Sequence, residues 1–191
     1  VVLDVGAWVG PTALWLAQVA LKVVALEPAT LAFQQLQDNV AVNAPLDERL
    51  TIENLALSDQ DTEVVMTDGA TSQDSIVTGA EEHHLPQNVR RIVTQAVTIS
   101  SLVQRHPVLA HTGFVKMDTE GHEMILVHAM RQFFMETRTV LLVSMHPPKS
   151  TLQAALDVLR QTFEFVYEAD TLQLFTGSAD DWTEWPTYDL P

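Results

Sequence analysis

Residues 1–5 are an apolar run broken only by Asp4 and closed by Gly6. A β-branched run without polar alternation predicts a strand covered on both faces. Thr12-Ala13-Leu14-Trp15-Leu16-Ala17 follows, with Pro11 where a first helical turn accepts proline, and predicts a helix. Residues 22–27 read as a second strand. Over 29–43 the apolar positions Phe33, Leu36 and Val40 share one helical face. Residues 50–57 read as a third strand. This β-α-β-α-β succession predicts a parallel sheet with right-handed crossovers.

Beyond Ser58 the pattern loosens. Residues 63–67 and 92–99 read as strands, and the polar stretch between them, 68–91, as a long loop. Regularity returns with a strand over 113–118, a helix over 122–134, a strand over 140–144 and a helix over 151–162 that Ser150 could cap. Residues 165–168 and 172–175 predict a closing antiparallel hairpin. Residues 1–178 are expected to form one domain, and 179–191 an acidic tail. The chain opens on Val inside a strand, so the expectation is a domain shortened at its N-terminus.

Composition narrows the partners. With 191 residues and 47 % apolar side chains the chain needs no metal or disulfide to complete a core. Its 10 basic and 25 acidic side chains leave a net charge of −15. That balance argues against a nucleic-acid partner and against an anionic membrane surface. No run approaches the ~18 apolar residues of a transmembrane helix. Cysteine is absent, which removes thiol nucleophiles and Cys–zinc sites and fits a reducing compartment. A cytoplasmic location is the expectation.

Candidate chemistry starts at the first turn. In Asp4-Val5-Gly6-Ala7-Trp8-Val9-Gly10, Gly6 permits a tight turn and Gly10 lets the helix approach the strand. The helix N-terminus beyond could face a carboxylate or a phosphate. A dinucleotide fingerprint would need glycine where Trp8 and Pro11 stand, and a phosphate loop would need a lysine that Gly10-Pro11-Thr12 lacks. A diphosphate is therefore disfavoured, and an adenosine ligand without phosphates stays open. Glu27 ends the second strand 23 residues after Asp4, where an acid in an open α/β sheet accepts bonds from ribose hydroxyls. Pro28 then stops the strand.

Asp4-Val5-Gly6-Ala7-Trp8-Val9-Gly10, Glu27-Pro28, Phe33, Leu36, Asn39 and Asn43 resemble the opening of the FkbM-type family of class I S-adenosylmethionine-dependent methyltransferases. The resemblance continues through Asn54-Leu55-Ala56-Leu57-Ser58-Asp59. It is most specific at Lys116-Met117-Asp118-Thr119-Glu120-Gly121-His122-Glu123, similar to that family's lysine-hydrophobic-aspartate-x-glutamate-glycine-x-glutamate segment. Three departures stand out. Trp8 replaces a usual Asn. Ser100-Ser101-Leu102 replaces a Leu-Asp-Ser/Asp-Leu pattern, so an acidic helix cap is expected to be lost. Ser144-Met145-His146 keeps the histidine of a Glu-x-His but not its acid.

The resemblance implies an α/β, Rossmann-like fold: a mostly parallel seven-stranded sheet of order 3-2-1-4-5-7-6, with an antiparallel last strand and helices on both faces. It implies S-adenosylmethionine as cofactor and O-methylation of a small-molecule hydroxyl on a sugar, polyketide or other secondary metabolite. Gly6, Ala7 and Gly10 would approach the methionine part, with Asp4 and Trp8 in the same turn. Glu27 would hold the ribose, with Pro28 beside it in the cofactor site, and Asn54 and Ala56 would flank the adenine through backbone contacts as much as side chains. Asp118 could face the methionine ammonium or the acceptor hydroxyl. With Glu120 and Glu123 it puts three acids within six residues, a negative potential suited to a sulfonium. The alternative is that Glu120 caps the next helix while Glu123 is solvated. His146, with an ordinary pKa of about 6.5, is the candidate base for the hydroxyl; His122 is a second candidate. Two other readings remain. One adds a divalent metal held by Asp118, Glu120, Glu123 or His146. The other is a methyltransferase-like module that binds partners without catalysis.

Overall fold

The computed structural model describes residues 1–43, 46, 48–68, 75–78, 90–146 and 152–176. They fall into two compact units, Val1–His146 and Pro147–Pro191. The expected boundary at 178/179, the tail, Ser150 and most of the 68–91 segment lie outside the described residues.

The first unit is built on a parallel sheet. Strands β1 (Val2–Val5), β2 (Val23–Leu26), β3 (Leu50–Glu53), β8 (Phe114–Met117) and β9 (Val140–Val143) lie in the order β3-β2-β1-β8-β9. All four pairings are parallel. Every residue of β1 and β2 is buried, as continuous apolar runs in a doubly covered sheet require. The helix after β1, α1 (Pro11–Val19), has Pro11 at its first position, and Ala13, Leu16 and Ala17 turn inward. Helix α2 (Thr30–Val42) buries Ala32 and Leu36. Leu36 packs in one cluster with Val2, Ala13, Leu16, Val23 and Ala25. Fully burying one such leucine contributes about 1.5–3 kcal/mol.

The third strand differs from expectation. The run 50–57 divides into β3 and a separate β4 (Ala56–Leu57), which belongs to another sheet. That sheet has the order β4-β7-β5-β6, with β5 (Thr62–Asp68), β6 (Ser75–Thr78) and β7 (Arg90–Val97). β5 is antiparallel to both β6 and β7. Part of the expected loop is thus a strand, β6, whose four polar and apolar residues are too few to signal one alone.

Helix α3 (Ile99–Arg105) has no acid in its first turn, as expected. Thr98 caps it by accepting from Ser101 N, and Asp61 supplies a carboxylate from across the chain. Asp61 accepts from Thr98 N at 2.6 Å and from Ser101 Oγ at 2.6 Å, and the Ser101 bond leads in holding its carboxyl below the ordinary value. The expected helix over 122–134 divides at Met130 into α4 (Glu123–Ala129) and α5 (Arg131–Thr137). Leu126, Val127, Met130, Phe133 and Phe134 are all buried, so the helical period runs through the break and conceals it in the sequence.

Five strands of the expected seven are present in the main sheet among the described residues. In the second unit α6 (Leu152–Thr162) buries Ala155, Leu156 and Leu159. The two segments expected to close the sheet meet there in a single antiparallel bridge, Tyr167 with Leu174.

Candidate active site

The strand order reverses between β1 and β8, and ligands of open α/β sheets bind at that crevice, beyond the carboxyl ends of the strands. A cavity of about 410 Å³ opens there. Of the candidate residues, Gly6, Ala7, Trp8, Glu27, Pro28, Ala56, Asp118 and Glu120 line it. Leu55, Leu57, Met66, Lys116, Thr119 and His122 line it as well. Asp4, Gly10, Asn54 and His146 are not among the lining residues.

The turn after β1 is held by backbone geometry. Gly6 has φ 77°, and a Cβ there would overlap the Asp118 carbonyl oxygen. Gly10 has φ 95°, and a Cβ would stand 2.4 Å from Leu36 Cδ1. Between them Trp8 takes φ 49°, a left-handed conformation that Asn enters readily and bulky side chains seldom do. Trp8 Nε1 is buried without a hydrogen-bond partner, and the indole packs on Ala29, Ala32, Met66 and Ile92.

Glu27 ties this turn to the end of β2. Its Oε2 accepts from Trp8 N at 2.8 Å and its Oε1 from Ala29 N at 2.7 Å. Burial pushes its carboxyl upward against the pull of those two donors. An ionised carboxylate has about four acceptor sites, so about two remain for a ligand. Asn54 acts behind it: Nδ2 donates to the carbonyls of Glu27 and Pro28 at 2.8 and 3.1 Å. Its role is to brace the strand end.

Asp4 lies beneath the cavity, fully buried, next to Lys116 in the β1–β8 register. Lys116 Nζ stands 3.3 Å from Asp4 Oδ1 but donates to the Gly6 carbonyl, and neither Asp4 oxygen has a hydrogen-bond partner. Burial pushes the Asp4 carboxyl up to about 6 although Lys116 pulls it down. Lys116 belongs to the specific segment, yet a lysine inside a strand offers no sign in the sequence of which strand its amine faces. Lys116→Met should remove the cation beside this buried acid, a loss of about 3–5 kcal/mol. Asp4 titrates higher folded than unfolded, so its charged form weakens the fold. That penalty is absent below pH 3.8 and complete above about pH 6. Urea unfolding should therefore show a larger loss at pH 8 than at pH 5; equal losses would contradict the pairing.

The opposite wall carries the acids. Glu123 is fully buried, not solvated. Its Oε1 accepts from Thr119 N at 3.0 Å, Thr119 Oγ1 at 3.1 Å and Gly121 N at 3.1 Å, and lies 3.2 Å from His146 Nδ1. Burial alone would raise this carboxyl. The bonds from His146, Gly121 and Thr119 outweigh it and hold the group down at about 2. His146 moves the other way. Glu123 first, then Glu120 and Asp118, bring the imidazole up to about 9. The expected base of ordinary pKa is therefore a cation at pH 7.

His122 has the complementary setting. It lines the cavity, and burial pushes it below the ordinary histidine value. Its Nε2 is 3.2 Å from Ser58 Oγ, which donates to Asp59 Oδ1 at 3.2 Å. A hydroxyl has one proton, so Nε2 is the donor in that contact and Nδ1 is the acceptor left over.

A family model described as the methyltransferase FkbM domain matches residues 4–169. The chain belongs to the FkbM methyltransferase family. Its fold is similar to the crystal structure, at 2.20 Å, of methyltransferase FkbM from Methylobacillus flagellatus KT, with a TM-score of 0.57 and 18 % identity. The match covers 83 % of this chain and 36 % of that one, so this FkbM domain spans about a third of that protein's length. No curated protein matches. Among the described residues no helix is long and apolar enough to cross a membrane.

Proposed function

We propose that this FkbM domain is an S-adenosylmethionine-dependent methyltransferase that methylates a hydroxyl of a small molecule. The observation that carries the reading is Glu27, a buried carboxylate at the end of β2 with acceptor sites left over, beside a cavity of ligand size. The residues present fit the cofactor. Glu27 would take the ribose hydroxyls. Pro28, Leu55, Ala56 and Leu57 would face the adenine. Gly6, Ala7 and Trp8 would border the methionine part, with the orphaned Trp8 indole N–H as a donor for a ligand oxygen. Asp118 and Glu120 would face the cationic groups.

When bound, S-adenosylmethionine supplies an activated methyl group. What the chain must add is alignment, exclusion of water and a place for the hydroxyl proton. Alignment can supply about 7–11 kcal/mol. His122, at the cavity wall and oriented by Ser58, is placed to take the proton, and His146 orients the acids behind it. A base of this kind contributes about 10²–10⁴-fold.

Calorimetric titration tests the reading. S-adenosylmethionine should bind the wild-type chain and the His122→Ala and His146→Ala variants within about threefold of one another. Turnover on an accepted hydroxyl should fall about 10²-fold or more in His122→Ala. Absence of heat with the wild-type chain would leave the non-catalytic, partner-binding reading in its place.

A further inference from the structure

We propose that Asp59 is a positioning residue for His122: acting through the Ser58 hydroxyl, it decides which nitrogen of that imidazole is free to take a proton. Ser58 Oγ lies 3.2 Å from His122 Nε2 and 3.2 Å from Asp59 Oδ1. The hydroxyl has one proton and two acceptors within reach, a neutral ring nitrogen and a carboxylate. Hydrogen bonds to an ionised acceptor are roughly twice as strong as neutral ones, so the proton goes to Asp59. Ser58 Oγ then meets the ring with a lone pair, and Nε2 must carry a proton to donate. Nδ1 has no hydrogen-bond partner among the described residues and is left as the basic nitrogen. Without the carboxylate the hydroxyl proton is free to turn to Nε2, and the ring proton then belongs on Nδ1.

The side chains involved are fixed from separate parts of the fold. His122 lines the cavity and sits at the N-cap of α4. Ser58 directly follows β4, 64 residues earlier, and is buried. Its N–H donates to the Val97 carbonyl at the end of β7, at 2.9 Å. Asp61 ties down the residues that follow, accepting from Thr98 N and Ser101 Oγ at 2.6 Å each. The second sheet and α3 thus hold the hydroxyl against the ring. Asp59 itself is exposed and is not among the residues lining the cavity, so it reaches the ring through Ser58. Once Nδ1 takes a proton the ring is a cation. The Nε2–H bond to Ser58 stays in place, and the Asp59 charge behind the hydroxyl favours that cation where burial opposes it. The use of this arrangement in catalysis rests on the methyltransferase reading. The tautomer does not.

The test is nitrogen-15 magnetic resonance of the imidazole rings in the whole chain, without S-adenosylmethionine. At about pH 8, well above the ordinary histidine value of about 6.5, the His122 ring is neutral and its two nitrogens report the tautomer. The His122 signals are those lost in His122→Gln. Wild type should show one tautomer, protonated at Nε2. Asp59→Ala should shift the tautomer ratio toward Nδ1–H by about 10–100-fold, the effect of one hydrogen bond to a charged acceptor. Asp59→Asn keeps an acceptor oxygen without the charge and should shift it less. In a Ser58→Ala background Asp59→Ala should change nothing, because the link is cut. Urea unfolding establishes that each variant is folded. A wild-type ring protonated at Nδ1, or a tautomer unchanged in folded Asp59→Ala, overturns the proposal. So does a shift that persists without Ser58. Calorimetry with S-adenosylmethionine is run separately. Dependence of the tautomer on Asp59 without cofactor binding would sink the methyltransferase reading and keep the positioning role, and the converse would sink the positioning role alone.

Discussion

Replacing Glu27 by alanine is expected to weaken S-adenosylmethionine binding by about 10²–10⁴-fold. Two hydrogen bonds from ribose hydroxyls to a charged acceptor contribute about 1.5–3 kcal/mol each. Every 1.4 kcal/mol is about tenfold in affinity. The same substitution should destabilise the protein without ligand. Trp8 N and Ala29 N would lose their acceptor inside a largely buried turn, at about 1–3 kcal/mol each. Glu27→Gln separates the two effects. It keeps the volume and one acceptor oxygen, so stability should fall less while affinity still falls. Calorimetry and urea unfolding on both variants provide the readouts. Wild-type affinity in a folded Glu27→Ala protein would remove the basis of the cofactor reading.

The second large effect is expected at Glu123. Glu123→Ala leaves the N–H groups of Thr119 and Gly121 without their acceptor and releases His146. Removing one member of a buried pair typically costs about 3–5 kcal/mol. The pH dependence identifies the cause. The Glu123 carboxyl titrates at about 2 folded against 4.5 ordinarily, so its contribution is complete above pH 4.5 and is lost as pH falls toward 2. His146 titrates at about 9 folded against 6.5 ordinarily, so its part is complete below pH 6.5 and is lost as pH rises through 9. Both shifts describe one interaction and are counted once. The stability difference between wild type and variant should therefore be greatest between about pH 4.5 and 6.5 and shrink on both sides. Taking the difference cancels Asp4 and Glu27, which also titrate. A difference independent of pH would mean that Glu123 acts by packing alone.

Much of the site is legible in the residues because it follows the backbone. Gly6, Ala7 and Trp8 sit in one turn, and Glu27 ends the neighbouring strand. A parallel sheet must bring such strand ends to one edge, so local pattern suffices to place them. The same logic places Asp118 and Glu120. It fails where the decision belongs to a side chain's surroundings. Asp4 reads as a member of the binding turn, but in-out alternation along β1 puts it beneath the cavity, facing Lys116. His146 reads as a base of ordinary pKa, because three carboxylates from another strand's turn are invisible at its own position. Asn54 reads as flanking the adenine, and its side chain braces the carbonyls of Glu27 and Pro28, which no local pattern shows. The missing helix acid at Ser100-Ser101-Leu102 is restored by Asp61, about 40 residues earlier, which no local pattern announces.

By itself the chain determined the strands and first helices of its parallel sheet and its place in the FkbM family. Apolar runs, turn residues and short motifs are local, and each acts on its immediate neighbours. Only the tertiary structure decided which acids are buried, which histidine is a cation and which lines the cavity. Those properties depend on desolvation and on charges a few ångströms away, and the distances are set by strands far apart along the chain.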